Sequence, residues 1–212
     1  MSEHSVFVID DDAAVRDALV CLLRAEGIRT RAFSSGSQFF ESLPEVESAC
    51  VITDVRMPGM DGAEVVRRVT ELKGHAWPLI VITGHAEVPL AVQMMKAGVV
   101  DYIEKPFEPN RLVEAVRGSL AHLDDVLLEK AETETAIRRL ARLTPREREV
   151  FDALVQGRTN KQIAGDLQIS PRTVEIFRAK VMEKVEADSL SALIRTGLKA
   201  RSGGAAAPLA RT

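Results

Sequence analysis

Five short apolar runs, each followed by a stretch with helical spacing, occupy the first 120 residues and limit the folds open to this chain. The runs cover 5–9, 28–33, 50–53, 79–83 and 99–103. The helical stretches cover 14–24, 36–43, 62–72 and 88–97, and a fifth opens near residue 108. Five such βα units predict an α/β fold, a doubly wound parallel sheet with helices on both faces. A sheet of this kind binds its ligands outside the carboxyl ends of its strands, so the residues just past each run are the first to examine.

Beyond residue 108 the pattern changes. Apolar residues keep helical spacing to about residue 140 with no proline after Pro109, which predicts a long helix leaving the first domain as a linker. Its acidic stretch, 124–134, reads either as a solvated end or as a contact with the basic half of the chain. Thr144-Pro145-Arg146-Glu147 then supplies an N-cap threonine, a proline in the first turn and a glutamate at the third position, a strong helix start. That helix runs to about Gln156, a second covers 160–167, Ser170-Pro171 caps a third reaching about residue 185, and a fourth covers about 189–200. The organisation expected is a five-stranded sheet domain at 1–122, a helical linker at 123–140, a small all-α domain at 141–201, and a disordered tail at 202–212. With 212 residues, 46% of them hydrophobic, the chain has material for two modest cores.

Charge separates the halves. Residues 1–120 hold 12 Lys+Arg against 18 Asp+Glu, whereas residues 138–184 hold 11 against 6, so the second half is a candidate for binding a polyanion. Cys21 and Cys50 lie among apolar neighbours and are expected to be buried as small hydrophobes, not joined in a disulfide. His4, His75, His85 and His122 lack metal-ligand spacing and are expected at the surface or in loops. No run of about 18 apolar residues is present and the start lacks a signal-peptide profile, so a cytoplasmic protein with no membrane partner is expected.

The strand ends carry the chemistry. Asp10, Asp11 and Asp12 follow the first run, Asp54 the third, Thr83 closes the fourth, and Lys105-Pro106 follows the fifth. Converging carboxylates repel one another, and a hard divalent cation such as Mg²⁺ is the usual relief. Asp54 can then act as a nucleophile toward phosphorus, with Lys105 and Thr83 placed to receive charge on the phosphoryl oxygens. Asp12 reads equally well as an ordinary helix cap. Val8-Ile9-Asp10-Asp11-Asp12, the segment 53–62, Val81-Ile82-Thr83-Gly84 and Lys105-Pro106-Phe107 resemble the receiver domains of two-component systems over residues 4 to about 122. The resemblance implies that Asp54 is phosphorylated by a sensor histidine kinase, and that Asp10 and Asp11 hold Mg²⁺ with Asp54 and the Arg56 carbonyl. It further implies that Lys105 contacts the phosphoryl group, that Thr83 and Tyr102 form a switch pair, and that the Lys105–Pro106 peptide is cis. In the expected switch Thr83 is drawn to the phosphate, Tyr102 turns into the space left, and the surface around 91–101 changes shape. Phosphoryl transfer to and from its own aspartate is the only catalysis implied.

In the second half, Arg172, Thr173, Glu175, Arg178, Lys180 and Lys184 alternate with apolar Val174, Ile176, Phe177, Val181 and Val185, and Asn160 and Lys161 open the preceding helix, with Ser170 at the turn. This is the pattern of a helix-turn-helix whose second helix enters the major groove of double-stranded DNA. Residues 143–150, 160–164 and 170–175 resemble the LuxR-type helix-turn-helix, and the whole chain resembles the FixJ group of regulators. It departs at Phe177, where the family commonly has histidine. The resemblance implies an activator of transcription working with RNA polymerase, a homodimer on phosphorylation that reads half-sites roughly 34 Å apart, and often an oxygen-sensing haem kinase as donor. Three rivals remain at this stage: a phosphatase of the haloacid-dehalogenase type built on Asp10 and Asp12, a regulator that ignores phosphate, and a repressor. The first is disfavoured by Ala14, by the absence of a cap domain and by the unexplained second half.

Overall fold

Residues 4–43, 48–84 and 87–203 are described by a computed structural model, in which the chain separates into two units, Met1–Asp125 and Val126–Thr212. The first unit carries β1 (Ser5–Ile9), α1 (Ala13–Ala25), β2 (Thr30–Phe33), α2 (Gly36–Glu41), β3 (Ala49–Asp54) and α3 (Gly62–Lys73). A 3₁₀ turn (Gly74–Ala76), β4 (Leu79–Thr83), α4 (Val88–Lys96), β5 (Asp101–Glu104) and the start of α5 (Pro109–Ala141) follow. All five strands are parallel, in the order β2-β1-β3-β4-β5. The expected doubly wound sheet is therefore the fold of this unit.

Alternate residues of each strand enter different cores, which is why the runs are apolar throughout. Phe7, Ile9, Val51 and Val81 pack with Phe39 of α2, Val65 and Val69 of α3 and Met94 of α4. Val6, Val8, Ile52 and Ile82 pack on the other side with Leu19 and Leu23 of α1 and Leu112 and Val116 of α5. Phe7 is the centre of the first core, its ring centroid 5.4 Å from Trp77 and 6.0 Å from Phe33. Such pairs add roughly 0.5–1.5 kcal/mol each beyond the area they bury.

Two strands begin later than their apolar runs, for the same reason. Gly27 and Gly98 take positive φ, and the amides after them turn back onto the preceding helices, Ile28 N–H to the Leu23 carbonyl and Val99 N–H to that of Met94. This left-handed helix closure consumes the first apolar residues of each run before the strand can start. Two side-chain expectations are also corrected. Cys21 is exposed, on the side of α1 away from Leu19 and Leu23, while Cys50 is buried and its thiol is pushed up to about 12 by that burial. His4 is buried, its ring 2.9 Å from Ser48 Oγ and 3.0 Å from Asp124 Oδ1. His122 is exposed, the side chain of His75 is not described, and His85 lies outside the described residues.

The second unit contains the end of α5, then α6 (Pro145–Val155), α7 (Asn160–Asp166), α8 (Pro171–Val185) and α9 (Leu190–Gly203). Its core gathers Leu140, Val150, Phe151, Leu154, Ile163, Val174, Val181 and Leu193. Thr144 with Glu147 and Thr159 with Gln162 form reciprocal capping boxes on α6 and α7, and Ser170 caps α8. Glu132, in the acidic stretch of α5, pairs with Lys199 of α9. The last helix continues through Ser202 to Gly203, two residues into the segment expected to be tail, and 204–212 lie outside the described residues. No helix among the described residues is long and apolar enough to cross a membrane.

Candidate functional site

Strand register brings the predicted residues to one sheet edge. Ile9 stands beside Thr53, Asp54 beside Ile82, and Thr83 beside Glu104, so Asp10, Asp54, Thr83 and Lys105 emerge together at the carboxyl ends. The order of the strands reverses direction at β1 and β3, the switch point where such sheets open a crevice. A cleft of about 400 Å³ lies there, lined by Asp10, Asp11, Asp54, Arg56, Thr83 and Lys105 among others.

Lys105 organises it. Its Nζ lies 2.7 Å from Asp54 Oδ1 and 2.9 Å from Asp10 Oδ2. The second oxygen of each carboxylate accepts a backbone amide, Arg56 N–H to Asp54 Oδ2 at 2.7 Å and Asp12 N–H to Asp10 Oδ1 at 2.9 Å. Asp10 is 2% exposed and Asp54 8%. Burial raises the Asp10 carboxyl above its ordinary range, and the Lys105 ammonium only partly offsets this. For Lys105 burial works against the charge, but the hydrogen bonds it donates to Asp54 and Asp10 outweigh it, so the ammonium is held more firmly than in water. Lys105 N–H also donates to the Thr83 carbonyl at 2.7 Å, and its bond to Pro106 is cis.

Asp12 does what its plain reading required, accepting from Ala14 and Val15 as the cap of α1. Asp11 is exposed at the cleft. Among the described residues no three His, Cys, Asp or Glu side chains are gathered closely enough to ligate an ion; the ammonium stands between Asp10 and Asp54 instead. The donor chemistry nevertheless suits a hard cation, since every candidate ligand in the cleft is oxygen. Thr83 is buried beside them. Among the described residues, the Tyr102 hydroxyl is withdrawn from solvent and has no hydrogen-bond partner.

Behind the site, Gly62 begins α3 so close to β3 that an added Cβ would sit 2.2 Å from the Asp54 carbonyl oxygen. Sequence reasoning missed two other contributors. Arg16 of α1 donates to the Asp10 carbonyl at 2.8 Å, and Arg56 reaches Glu87 at 2.8 Å. Neither pairing has a local spacing signature in the sequence.

The second candidate site is the outer face of α8. Val174, Val181 and Val185 are buried, leaving Arg172, Glu175 and Lys180 exposed. Arg172 and Glu175 pair at 3.0 Å, Thr173 Oγ1 lies 2.8 Å from Ser170 Oγ, and Asn160 and Lys161 stand at the first turn of α7. Among the described residues of this unit, Lys161, Arg178, Lys180 and Arg195 are the cations with no ion-pair or hydrogen-bond partner. Phe177 packs partly against the core, which explains an aromatic at that position.

Lys184, expected on the DNA-facing stripe, is turned the other way. Its Nζ is 2.6 Å from Oε2 of Glu147, a residue only 4% exposed whose carboxylate also accepts the Thr144 amide. Lys184 first, then that amide, hold the Glu147 carboxyl down at about 2. The pair is a strut between α6 and α8, and sequence showed only its capping half.

Residues 6–117 match the family described as response regulator receiver domain, and residues 141–196 that of bacterial regulatory proteins, luxR family. The chain is 43% identical over 195 residues to the transcriptional regulatory protein FixJ of Bradyrhizobium diazoefficiens, covering 92% of this chain and 95% of that one. Among solved structures it is similar to the response regulator StyR, at 34% identity and a TM-score of 0.78, covering 93% of this chain and 100% of that one. It is also similar to full-length FixJ from B. japonicum, at 41% identity and a TM-score of 0.59, covering 95% and 99%.

Proposed function

This chain belongs to the response regulators of two-component systems, a receiver joined to a LuxR-type DNA-binding domain, and from that premise we propose that a phosphoryl group on Asp54 controls its binding to promoters. The observation that carries the proposal is the Lys105 ammonium shared by Asp54 and Asp10 at the mouth of the switch-point cleft. An Asp54 oxygen attacks phosphorus of a phosphohistidine on the sensor kinase, the P–N bond breaks, and the imidazole leaves. Lys105 and the Thr83 hydroxyl receive the charge carried by the phosphoryl oxygens. Asp10, Asp11, Asp54 and the Arg56 carbonyl would hold Mg²⁺, which when bound offsets the negative charge of the entering group.

Tyr102 takes the role of responder. A buried hydroxyl without a partner costs about 1–3 kcal/mol, so the resting arrangement leaves Tyr102 with something to gain when Thr83 is drawn toward the phosphate. The change spreads over the α4–β5 surface and favours a homodimer. Paired α8 helices then meet successive major grooves roughly 34 Å apart. Arg172, Thr173, Glu175, Arg178 and Lys180 of α8, with Ser170, Asn160 and Lys161, supply the DNA contacts, and RNA polymerase is recruited to activate transcription in the cytoplasm.

Incubation with acetyl phosphate and Mg²⁺, followed by intact mass, tests the first step. The expected result is a labile gain of one phosphoryl group, absent in Asp54→Ala and in EDTA. Retention of the gain in Asp54→Ala overturns the assignment. A promoter reporter that falls on phosphorylation replaces activation with repression, and normal phosphorylation-dependent dimerisation in Tyr102→Ala removes the switch role.

A further inference from the structure

Helices α1, α2 and α3 each start under a side-chain cap, from Asp12, Ser35 and Asp61. Helix α4 does not: its N-cap position, Glu87, makes no side-chain cap hydrogen bond. The Glu87 carboxylate is turned instead to Arg56, whose guanidinium lies 2.8 Å away. Arg56 lines the phosphoacceptor cleft, and its own amide holds Asp54 Oδ2. One residue thus touches the acceptor through its backbone and the start of α4 through its side chain. The two charged groups are 60% and 59% exposed, and pairs so exposed are worth little. A weak tether is one that a stronger anion can take over.

We propose that Arg56 is an exchangeable tether: it holds Glu87 when Asp54 is free, and moves to the phosphoryl oxygens when Asp54 is modified, releasing the first turn of α4. This rests on Asp54 being the acceptor. The incoming group brings roughly −1.5 to −2 charge and three acceptor oxygens into the cleft that Arg56 lines, against the single charge of Glu87. Charge-assisted, bidentate contact between guanidinium and phosphate is the stronger of the two pairings. Release acts on a helix start with no side-chain cap to replace the tether, next to Val88, Val92 and Met95, which are exposed apolar residues of α4.

The test is a double-mutant cycle on the whole protein, titrating beryllofluoride, a non-hydrolysable phosphoryl mimic, with Mg²⁺ by calorimetry. Arg56→Gln is expected to weaken binding about tenfold, the worth of one charge-assisted contact. Glu87→Gln is expected to tighten it about twofold to fivefold by freeing Arg56, and to do nothing in the Arg56→Gln background. Arg56→Lys should restore part of the loss. Amide exchange in the first turn of α4 should rise on saturation in the wild type, and be raised in Arg56→Gln before any ligand is added. If Glu87→Gln tightens binding equally in both backgrounds, the effect is bulk charge and the tether is overturned. Unchanged binding in Arg56→Gln overturns it too. A wild type as silent as Asp54→Ala overturns the acceptor reading, and the tether falls with it.

Discussion

Gly62 shows how narrowly the acceptor residue is placed. With 2.2 Å between an added Cβ and the Asp54 carbonyl, Gly62→Ala has to push apart the start of α3 and the end of β3. Overpacking of this kind costs about 1–3 kcal/mol, so chemical denaturation should show that loss, together with slower phosphorylation by acetyl phosphate. The opposite sign is expected at Tyr102, whose hydroxyl is buried without a partner. Tyr102→Phe removes an unsatisfied group and should stabilise the resting receiver by about 1 kcal/mol, while blunting any response that depends on that hydroxyl. A destabilised Tyr102→Phe would mean that the hydroxyl does useful work in the resting state.

Between elements, the Glu147–Lys184 strut fixes α8 against α6. A carboxyl held near 2 in the folded chain titrates near 4.5 when unfolded, so its contribution is fully present above about pH 4.5 and lost as the pH falls toward 2. Amide protection of α8 should therefore fall between about pH 4.5 and 2 in the wild type and change less in Glu147→Gln, which should already be less protected at pH 7. Lys184 also shows where the sequence stopped being informative. Its place on the polar stripe was legible, but its partner lies 37 residues away on another helix, and no periodicity encodes that. The α/β order and the Thr144–Glu147 capping box were legible because each depends on spacing along one segment, and the convergence of Asp10, Asp54 and Lys105 because a doubly wound parallel sheet gathers its strand ends at one edge. The late starts of β2 and β5 were not, since Gly27 and Gly98 act through hydrogen bonds to the preceding helix that override the apolar pattern. Burial of His4 and exposure of Cys21 likewise depend on which elements pack against them.

At the scale of the molecule, the basic half should show itself in salt dependence. If Lys161, Arg178 and Lys180 meet phosphates, alanine at any of them should weaken promoter binding and reduce the slope of log affinity against log salt by about one. Lys184→Ala should leave that slope unchanged and lower only the stability of its own unit. The chain contains one tryptophan and one tyrosine, and both lie in the receiver: Trp77 in its aromatic core, 4.8 Å from the Lys73 ammonium, and Tyr102 on β5. The DNA-binding half is therefore dark at the wavelengths where indole absorbs and emits. Light emitted by the intact, unlabelled regulator, even while it sits on a promoter, comes from the receiver alone, so the protein carries its own optical probe of the half that receives the signal.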